Sequence, residues 1–270
     1  MNEEEYRAPV TRTQKGVHRW GIWVLALILM IFAACIVGAW KWKSTLSIAH
    51  LNVEGTHILA SQQVVALSGI VPPVSMFSSD FYAVRKKILA QPFIRSVDFC
   101  GEYPDNLSLQ VTERQPIASV NNGSLWYIDA DGTLLPYLQT NAKLDLPMIS
   151  GIGGFGNVHL GGKLALPDIT EAIRILQDAQ EIDSSLYHFI SEVNMNGGGD
   201  ITLYSGDVGV PIYLGRDDIP KKLLMLQTFW SEFVKSDNSD KLKYVDLRFD
   251  DQVVVRWQND NRPPQSKAAL

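Results

Sequence analysis

Cysteine is nearly missing from this chain, with two residues in 270, Cys35 and Cys100. Cys35 lies inside a long apolar run, so the part of the chain beyond that run holds one cysteine and cannot close a disulfide of its own. A disulfide-stapled secreted module is excluded, and whatever folds here must rest on hydrophobic cores. Cys100 has no neighbour in sequence that would activate a thiolate, and it reads as a small buried or semi-buried residue. Positive charge is also sparse. There are 24 Lys and Arg against 29 Asp and Glu, a net charge of −5. The basic triplet Arg85-Lys86-Lys87 sits near the end of a predicted helix, where the macrodipole favours it as a solvated face. Nucleic acid demands a clustered positive surface, so a nucleic-acid partner is not expected.

Catalytic and cofactor motifs are wanting as well. The five histidines (His18, His50, His57, His159 and His188) are scattered, and none belongs to an H-E-x-x-H pair. No G-x-S-x-G elbow or P-loop lysine motif occurs. Gly151-Ile152-Gly153-Gly154-Phe155-Gly156 matches G-x-G-x-x-G to the letter. That motif binds a dinucleotide only where its last glycine opens a helix, and no helical pattern begins before Asp168, so it reads as a loop. Asp129 and Asp131 look like a carboxylate pair, but they flank an Asp-Gly turn signal and lack the further oxygen ligands of a calcium loop. The chain is expected to be no enzyme and to hold no cofactor or metal.

Long apolar runs are absent except for one, Trp20–Trp40, which carries no charge over 21 residues. As a helix it would be about 31 Å long, matching a hydrocarbon core of about 30 Å. Trp20, Trp23, Trp40 and Trp42 cluster at its two ends, as interfacial rings do. A cleaved signal would have a shorter apolar core and a small-residue cleavage site. A lipoprotein signal around Ala33-Ala34-Cys35 would not place Phe32 before it or continue apolar after Cys35. The run reads as a membrane anchor. Arg7, Arg12, Lys15 and Arg19 precede it, and only Lys41 and Lys43 closely follow. Basic flanks stay cytoplasmic, so residues 1–19 are expected to be a cytoplasmic tail and the bulk of the chain to be exported.

Beyond the anchor, Ser47–Glu54 alternates with period two, the mark of a half-buried strand, with His50 on its polar face. Ser61 is expected to cap a helix over 62–68 that stops at Gly69. Asp80 is expected to cap a second helix near 80–90, with Phe81, Val84 and Ile88 on one face. Strands over 95–101 and 107–111 flank the turn Tyr103-Pro104-Asp105-Asn106. A strand-helix-helix-strand-strand order gives a small α+β core. Farther on, the hairpin 126–137 turns at Ala130-Asp131-Gly132. A helix capped by Asp168, with Glu171 in a capping-box position, is followed by strands near 190–195, 201–204 and 211–214. A helix over 219–235, capped by Asp217 or Asp218, presents Ile219, Leu223, Leu226, Trp230 and Phe233 as its apolar face. In 243–257 the apolar residues Val245, Leu247, Phe249, Val253, Val255 and Trp257 alternate around a turn at Asp250-Asp251-Gln252. Asn259–Leu270 is polar and contains Pro263-Pro264, so it is expected to be a disordered tail. As the last strand, 253–257 is expected to be an open edge, whose unpaired N–H and C=O groups invite another strand.

Several short segments carry a family resemblance. Val53-Glu54-Gly55, Leu67-Ser68-Gly69-Ile70, Gln91-Pro92-Phe93-Ile94, Tyr103-Pro104-Asp105-Asn106-Leu107 and Glu113-Arg114-Gln115-Pro116-Ile117-Ala118 resemble a POTRA domain of the FtsQ/DivIB family. Leu146-Pro147-Met148-Ile149-Ser150-Gly151 and Tyr244-Val245-Asp246-Leu247-Arg248-Phe249 are similar to later segments of that family. The resemblance implies an α+β protein with a transmembrane helix at 20–40, a POTRA domain (β-α-α-β-β) at 44–114 and a mixed, mostly antiparallel β domain with helices at 115–258. It implies an inner-membrane, single-pass division protein at the septum that links early and late divisome proteins, with FtsB- and FtsL-like proteins held at the last edge strand and other divisome proteins met by the POTRA domain. The partner-contacting residues it implies are Arg248, Phe249, Asp251, Gln252, Val253, Val254, Val255 and Trp257. Relatives often carry tyrosine where Phe249 stands and small residues near Asp251 and Gln252. The alternative is a POTRA-type accessory of envelope assembly or secretion. A proline at Val254 or Val255 removes one edge N–H and is expected to disrupt a docked strand.

Overall fold

The computed structural model describes residues 19–45, 47–75, 79–102, 104–121, 123–138, 144–156, 158–234, 241–258 and 265–268. The expected cytoplasmic tail lies outside these residues but for Arg19. Helix α1 runs from Arg19 to Thr45, past the predicted end at Trp40, because nothing in Lys41–Ser44 breaks a helix. Its stretch Trp20–Trp42 is long and apolar enough to cross a membrane, and no part of that stretch is buried in protein. A helix that is apolar all round finds its matching surroundings in lipid.

Two compact units divide the chain. One comprises residues up to Leu51 with Val71–Ser79 and Gly101–Leu107, and the other comprises the remainder. The POTRA-like region contains β1 (Ser47–Ile48), β2 (His50–Glu54), α2 (Ser61–Ser68), β3 (Val74–Ser75), α3 (Phe81–Leu89), β4 (Ile94–Glu102) and β5 (Asn106–Glu113). β1 and β3 form a short antiparallel ribbon, and β2, β5 and β4 form a sheet in that order. The predicted order of elements is present, with the predicted strand Ser47–Glu54 divided at Ala49 into β1 and β2, and with β3 added. Asp80 caps α3 as predicted, its carboxylate accepting from the N–H groups of Tyr82 and Ala83. Ser61 does not cap α2. It is the first helical residue, and the side chain of Gln63 instead accepts the N–H of Ala60, the N-cap residue. Gly69 ends that helix in the left-handed conformation glycine adopts without strain. Gly55 is fixed by a close approach, since a Cβ there would stand 2.1 Å from the carbonyl oxygen of Val111.

The segment Glu113–Ala118 acts as a clasp. Glu113 is 7 % exposed. Its carboxylate accepts three consecutive backbone N–H groups, from His57 (2.8 Å), Ile58 (2.7 Å) and Leu59 (2.9 Å), pinning the loop after β2. The Arg114 guanidinium reaches Asp129 at 2.8 Å and Asp131 at 3.4 Å, and Arg95 reaches Asp131 at 2.9 Å. The two turn carboxylates are thus anchors for arginines. Asp129 also accepts the N–H groups of Asp131 and Thr133, which shapes the Asp-Gly turn.

The β domain adds β6 (Pro116–Asn121), β7 (Leu125–Asp129), β8 (Leu134–Pro136), β9 (Met148–Ser150), α4 (Pro167–Ile182), α5 (Ser184–Phe189), β10 (Ile190–Asn194), β11 (Thr202–Ser205), β12 (Pro211–Tyr213), α6 (Ile219–Phe229), β13 (Leu242–Asp246), β14 (Gln252–Trp257) and β15 (Gln265–Ala268). One sheet runs β15-β14-β13-β12-β11-β10-β9-β6-β7-β8. Its pairs are antiparallel except β12–β13, β9–β10 and β6–β9. Parallel neighbours need a long crossover, and α4 with α5 supplies it for β9–β10, as α6 does for β12–β13. Ile169, Ala172, Ile173 and Leu176 of α4 and Leu223 and Leu226 of α6 enter the core against sheet residues such as Ile149, Val193, Leu203, Ile212, Val245 and Val255.

Two caps differ from expectation. Pro167 opens α4, so Asp168 is already inside the first turn. Asp168 and Glu171 instead hold Arg216, which also donates to the carbonyl of Gly199. Asp218 precedes α6 in a left-handed conformation without a side-chain cap bond. α6 itself gives way to a π turn over Trp230–Val234, with Trp230 packed on Phe189 at 4.2 Å between ring centres. The Phe233 side chain and Lys235 lie outside the described residues.

Candidate partner-binding edge

The candidate site is built on the β13–β14 hairpin and the turn between its strands. Val245 pairs with Val255 and Asp246 with Val254, while Leu242 faces Trp257 across a bulge in β13. The alternation seen in the sequence sends Val253 and Val255 into the core, so their side chains are unavailable to a partner. They can contribute backbone alone. Val254 and Arg256 lie half-buried on the other face, and Gln252 and Asp251 are exposed.

The N–H of Gln258 donates to the carbonyl of Lys241 at 2.8 Å, which fixes the direction of every amide along β14. Alternation sends the amides of Val254 and Arg256 toward β13 and those of Val253, Val255 and Trp257 away from it. Of the two proline positions read from the sequence, Val255 is therefore the one that addresses the outer edge. A proline at Val254 would break the hairpin instead.

That outer edge is not open. β15 pairs with it antiparallel, Gln252 facing Ala268, Val253 facing Lys267, Val254 facing Ser266 and Val255 facing Gln265. Both the expected free edge and the expected disorder of 265–268 are corrected here. The physical reason is that an edge of unpaired amides pairs with any extended chain tethered within reach, whatever its composition. Residues 259–264 and 269–270 lie outside the described residues.

The turn is held by charge. Arg248 donates through Nε and Nη2 to the two oxygens of Asp246, at 3.0 and 2.7 Å, and through Nη1 to Asp200 at 3.0 Å. Its guanidinium lies 5.2 Å from the ring centre of Tyr213. These bonds raise the Arg248 pKa further, so its charge is permanent. Burial pushes the Asp246 carboxyl up, but the bonds from Arg248 and the charges of Arg248 and Lys222 outweigh it and leave it below the ordinary carboxylate range. Asp251 takes a left-handed conformation and pairs with Lys221 of α6. A hydrogen bond to Asp251 raises the Lys221 pKa.

Phe249, between these two ion pairs, is 53 % exposed. Trp257, at the other end of β14, is half-buried and packs against the domain core. The residues expected from the sequence are thus gathered on one hairpin, with Arg248 turned to internal partners. Sequence reasoning missed Asp200, Tyr213 and Lys221, which hold the turn from three other elements. No local pattern signals them, because they lie 30 to 48 positions from their partners. Among the described residues no group of three or more His, Cys, Asp or Glu is placed to hold a metal ion.

Comparison with known proteins follows the same division of the chain. A family model described as FtsQ/DivIB, C-terminal related, matches residues 115–255, and a POTRA domain model of FtsQ type matches residues 46–114. Cell division protein FtsQ of Geotalea daltonii is 29% identical over 208 residues, covering 76% of this chain and 74% of that protein. Cell division protein FtsQ of Syntrophotalea carbinolica is 28% identical over 239 residues, covering 88% and 84%. Cell division protein DivIB of Bacillus selenitireducens is 27% identical over 207 residues, covering 74% of each chain.

Proposed function

This chain belongs to the FtsQ/DivIB family of cell division proteins, and we propose that it works as a non-enzymatic, single-pass link of the divisome. In this reading α1 anchors the protein in the inner membrane with its N-terminus in the cytoplasm and the POTRA and β domains in the periplasm at the septum. The four basic residues before the run and two after it support that orientation. FtsB- and FtsL-like proteins dock on the hairpin of β13 and β14, and the POTRA domain meets other divisome proteins.

The observation that carries the proposal is the outer edge of β14. Its amides at Val253, Val255 and Trp257 point away from β13, and aromatic residues stand at both ends, Phe249 exposed and Trp257 at the rim. Backbone bonds to an added strand supply affinity, and the aromatic ends supply the apolar anchors that dominate small interfaces. Arg248 is a positioning residue in this arrangement. It holds the turn so that Phe249 faces outward.

The test is binding of FtsB- and FtsL-like proteins to the full chain in detergent. Val255→Pro, checked for folding by circular dichroism, is expected to abolish binding, and Phe249→Ala, which disturbs no core contact, to weaken it. Wild-type affinity in both folded variants overturns the site. In cells, depletion is expected to give filaments with unsplit septa and a fluorescent fusion to gather at mid-cell. Depletion that lowers outer-membrane proteins without filamentation would indicate an assembly role instead.

A further inference from the structure

The strand that already sits on the docking edge belongs to the chain itself. We propose that β15 is a resident strand, occupying the edge in the free protein and displaced when the partner strand arrives. This rests on the edge-docking reading above and gives that site its regulation.

Three features point the same way. The first is register. β15 covers Gln252–Val255 and takes the outward-facing positions Val253 and Val255, the positions an added strand would use. Its pairing stops two residues short of Trp257 and does not reach Phe249. The resident strand therefore satisfies the backbone and leaves both aromatic ends to a longer, incoming strand.

The second is sequence. Gln265-Ser266-Lys267-Ala268 contains no aromatic or β-branched residue, the types that favour strands. Pro263 and Pro264 have no N–H, so the ladder cannot be extended on that side by donation. A sequence of this kind favours a strand weakly. A partner with apolar anchors at each end can exceed it.

The third is tethering. Only residues 259–264 separate Gln258 from β15. A short link of this kind gives an effective concentration on the order of millimolar. That suffices to cover an exposed edge against chance pairing with other chains, which is the hazard of a bare edge. It is also low enough for a specific partner to overcome. The apparent affinity of that partner is reduced by the fraction of molecules in which the edge is free.

The experiment compares the full chain with one ending after Gln258, both in detergent micelles. Hydrogen exchange reads the edge without any partner, and titration with the FtsB- and FtsL-like proteins reads the competition. The shortened chain is expected to exchange the Val253 and Val255 amides at least about tenfold faster, since those bonds are local and weak. It is also expected to bind its partners roughly 3- to 10-fold more tightly. A cross-link provides the converse. Val254 and Ser266 form the non-hydrogen-bonded pair of this ladder, the close pair that suits a disulfide. Val254→Cys with Ser266→Cys, in a chain carrying Cys35→Ala and Cys100→Ser, is expected to lose binding when oxidised and regain it on reduction.

Unchanged exchange after truncation overturns the proposal, because the strand would then not be seated. Faster exchange with unchanged affinity overturns it also, since the strand would cover the edge without competing. Failure of the docking reading has a different signature. There, Val255→Pro leaves partner binding intact in the shortened chain.

Discussion

Arg248 and Asp246, two residues apart at the end of β13, form a two-pronged ion pair, with donor–acceptor distances of 3.0 and 2.7 Å and a further bond at 3.1 Å from the Arg248 amide to the same carboxylate. Asp246 is 6 % exposed, so the pair is anchored on its buried side while the arginine reaches the surface. It converts a charged strand end into a fixed turn, and Phe249 is the next residue. Arg248→Lys keeps the charge but cannot make the fork. A double-mutant cycle with Asp246→Asn and Arg248→Lys is expected to give a coupling of about 1–2 kcal/mol in unfolding, below a fully buried pair because the arginine is exposed. Partner binding should weaken in each single variant. Independent, additive effects would show that the pair does not shape the turn.

The same pair sets an acid dependence. The folded pKa of Asp246 is lowered, so its stabilisation is fully present above the unfolded carboxylate value of about 3.9 and is lost as pH falls through the lower folded value. Urea midpoints measured from pH 6 downward should show that the Asp246→Asn variant is the less acid-sensitive of the two.

Glu113 binds three successive amides with one carboxylate. Glu113→Gln retains the shape, but an amide group cannot accept on both of its arms, so at least one buried N–H is left unpaired. The expected cost is about 2–3 kcal/mol, read as a lower thermal midpoint, and exchange at His57–Leu59 should quicken before the rest of the domain. A change confined to His57–Leu59 with no fall in midpoint would mean that this loop is separable from the fold.

Tyr187 donates its hydroxyl to the carbonyl of Ile117 at 2.8 Å, tying α5 to β6. Burial, with the nearby Asp145 charge, pushes its pKa up to about 12. A tyrosine raised in the folded state favours the neutral form there, so its stabilisation is present below the unfolded value of about 10 and is lost as pH rises toward the folded one. Tyr187→Phe is expected to cost about 1 kcal/mol at neutral pH and to flatten the decline in stability between pH 10 and 12. An unchanged alkaline profile would assign that decline to other groups.

Gly55→Ala tests the closest backbone approach. With φ at +82° and a Cβ placed 2.1 Å from the Val111 oxygen, either β2 or β5 must move. The cost is expected to exceed the roughly 1 kcal/mol of a left-handed alanine by itself, and calorimetry of the full chain reads it.

The sequence by itself determined the apolar helix long enough to cross a membrane, the order of elements in the POTRA-like region, the Asp-Gly hairpin and the inward set Val245, Val253 and Val255. Each of these follows from a pattern among neighbouring residues, about two dozen at most, whether a run, a period of two or 3.6, or a turn signal. The tertiary structure decided the rest. Asp168 and Glu171 look like a capping pair in sequence and serve Arg216 in space, because Pro167 starts the helix earlier and the arginine arrives from a distant loop. Arg248 stands in a short hairpin segment of the sequence, and only the fold brings Asp200 and Tyr213 to it. The strand 253–257 reads as an edge because nothing regular follows it, yet a backbone edge bonds amide to carbonyl without regard to side chains. A polar tail with no strand pattern can therefore pair with it. Patterns of side chains reveal which face is buried, and they carry no record of which two backbones will meet.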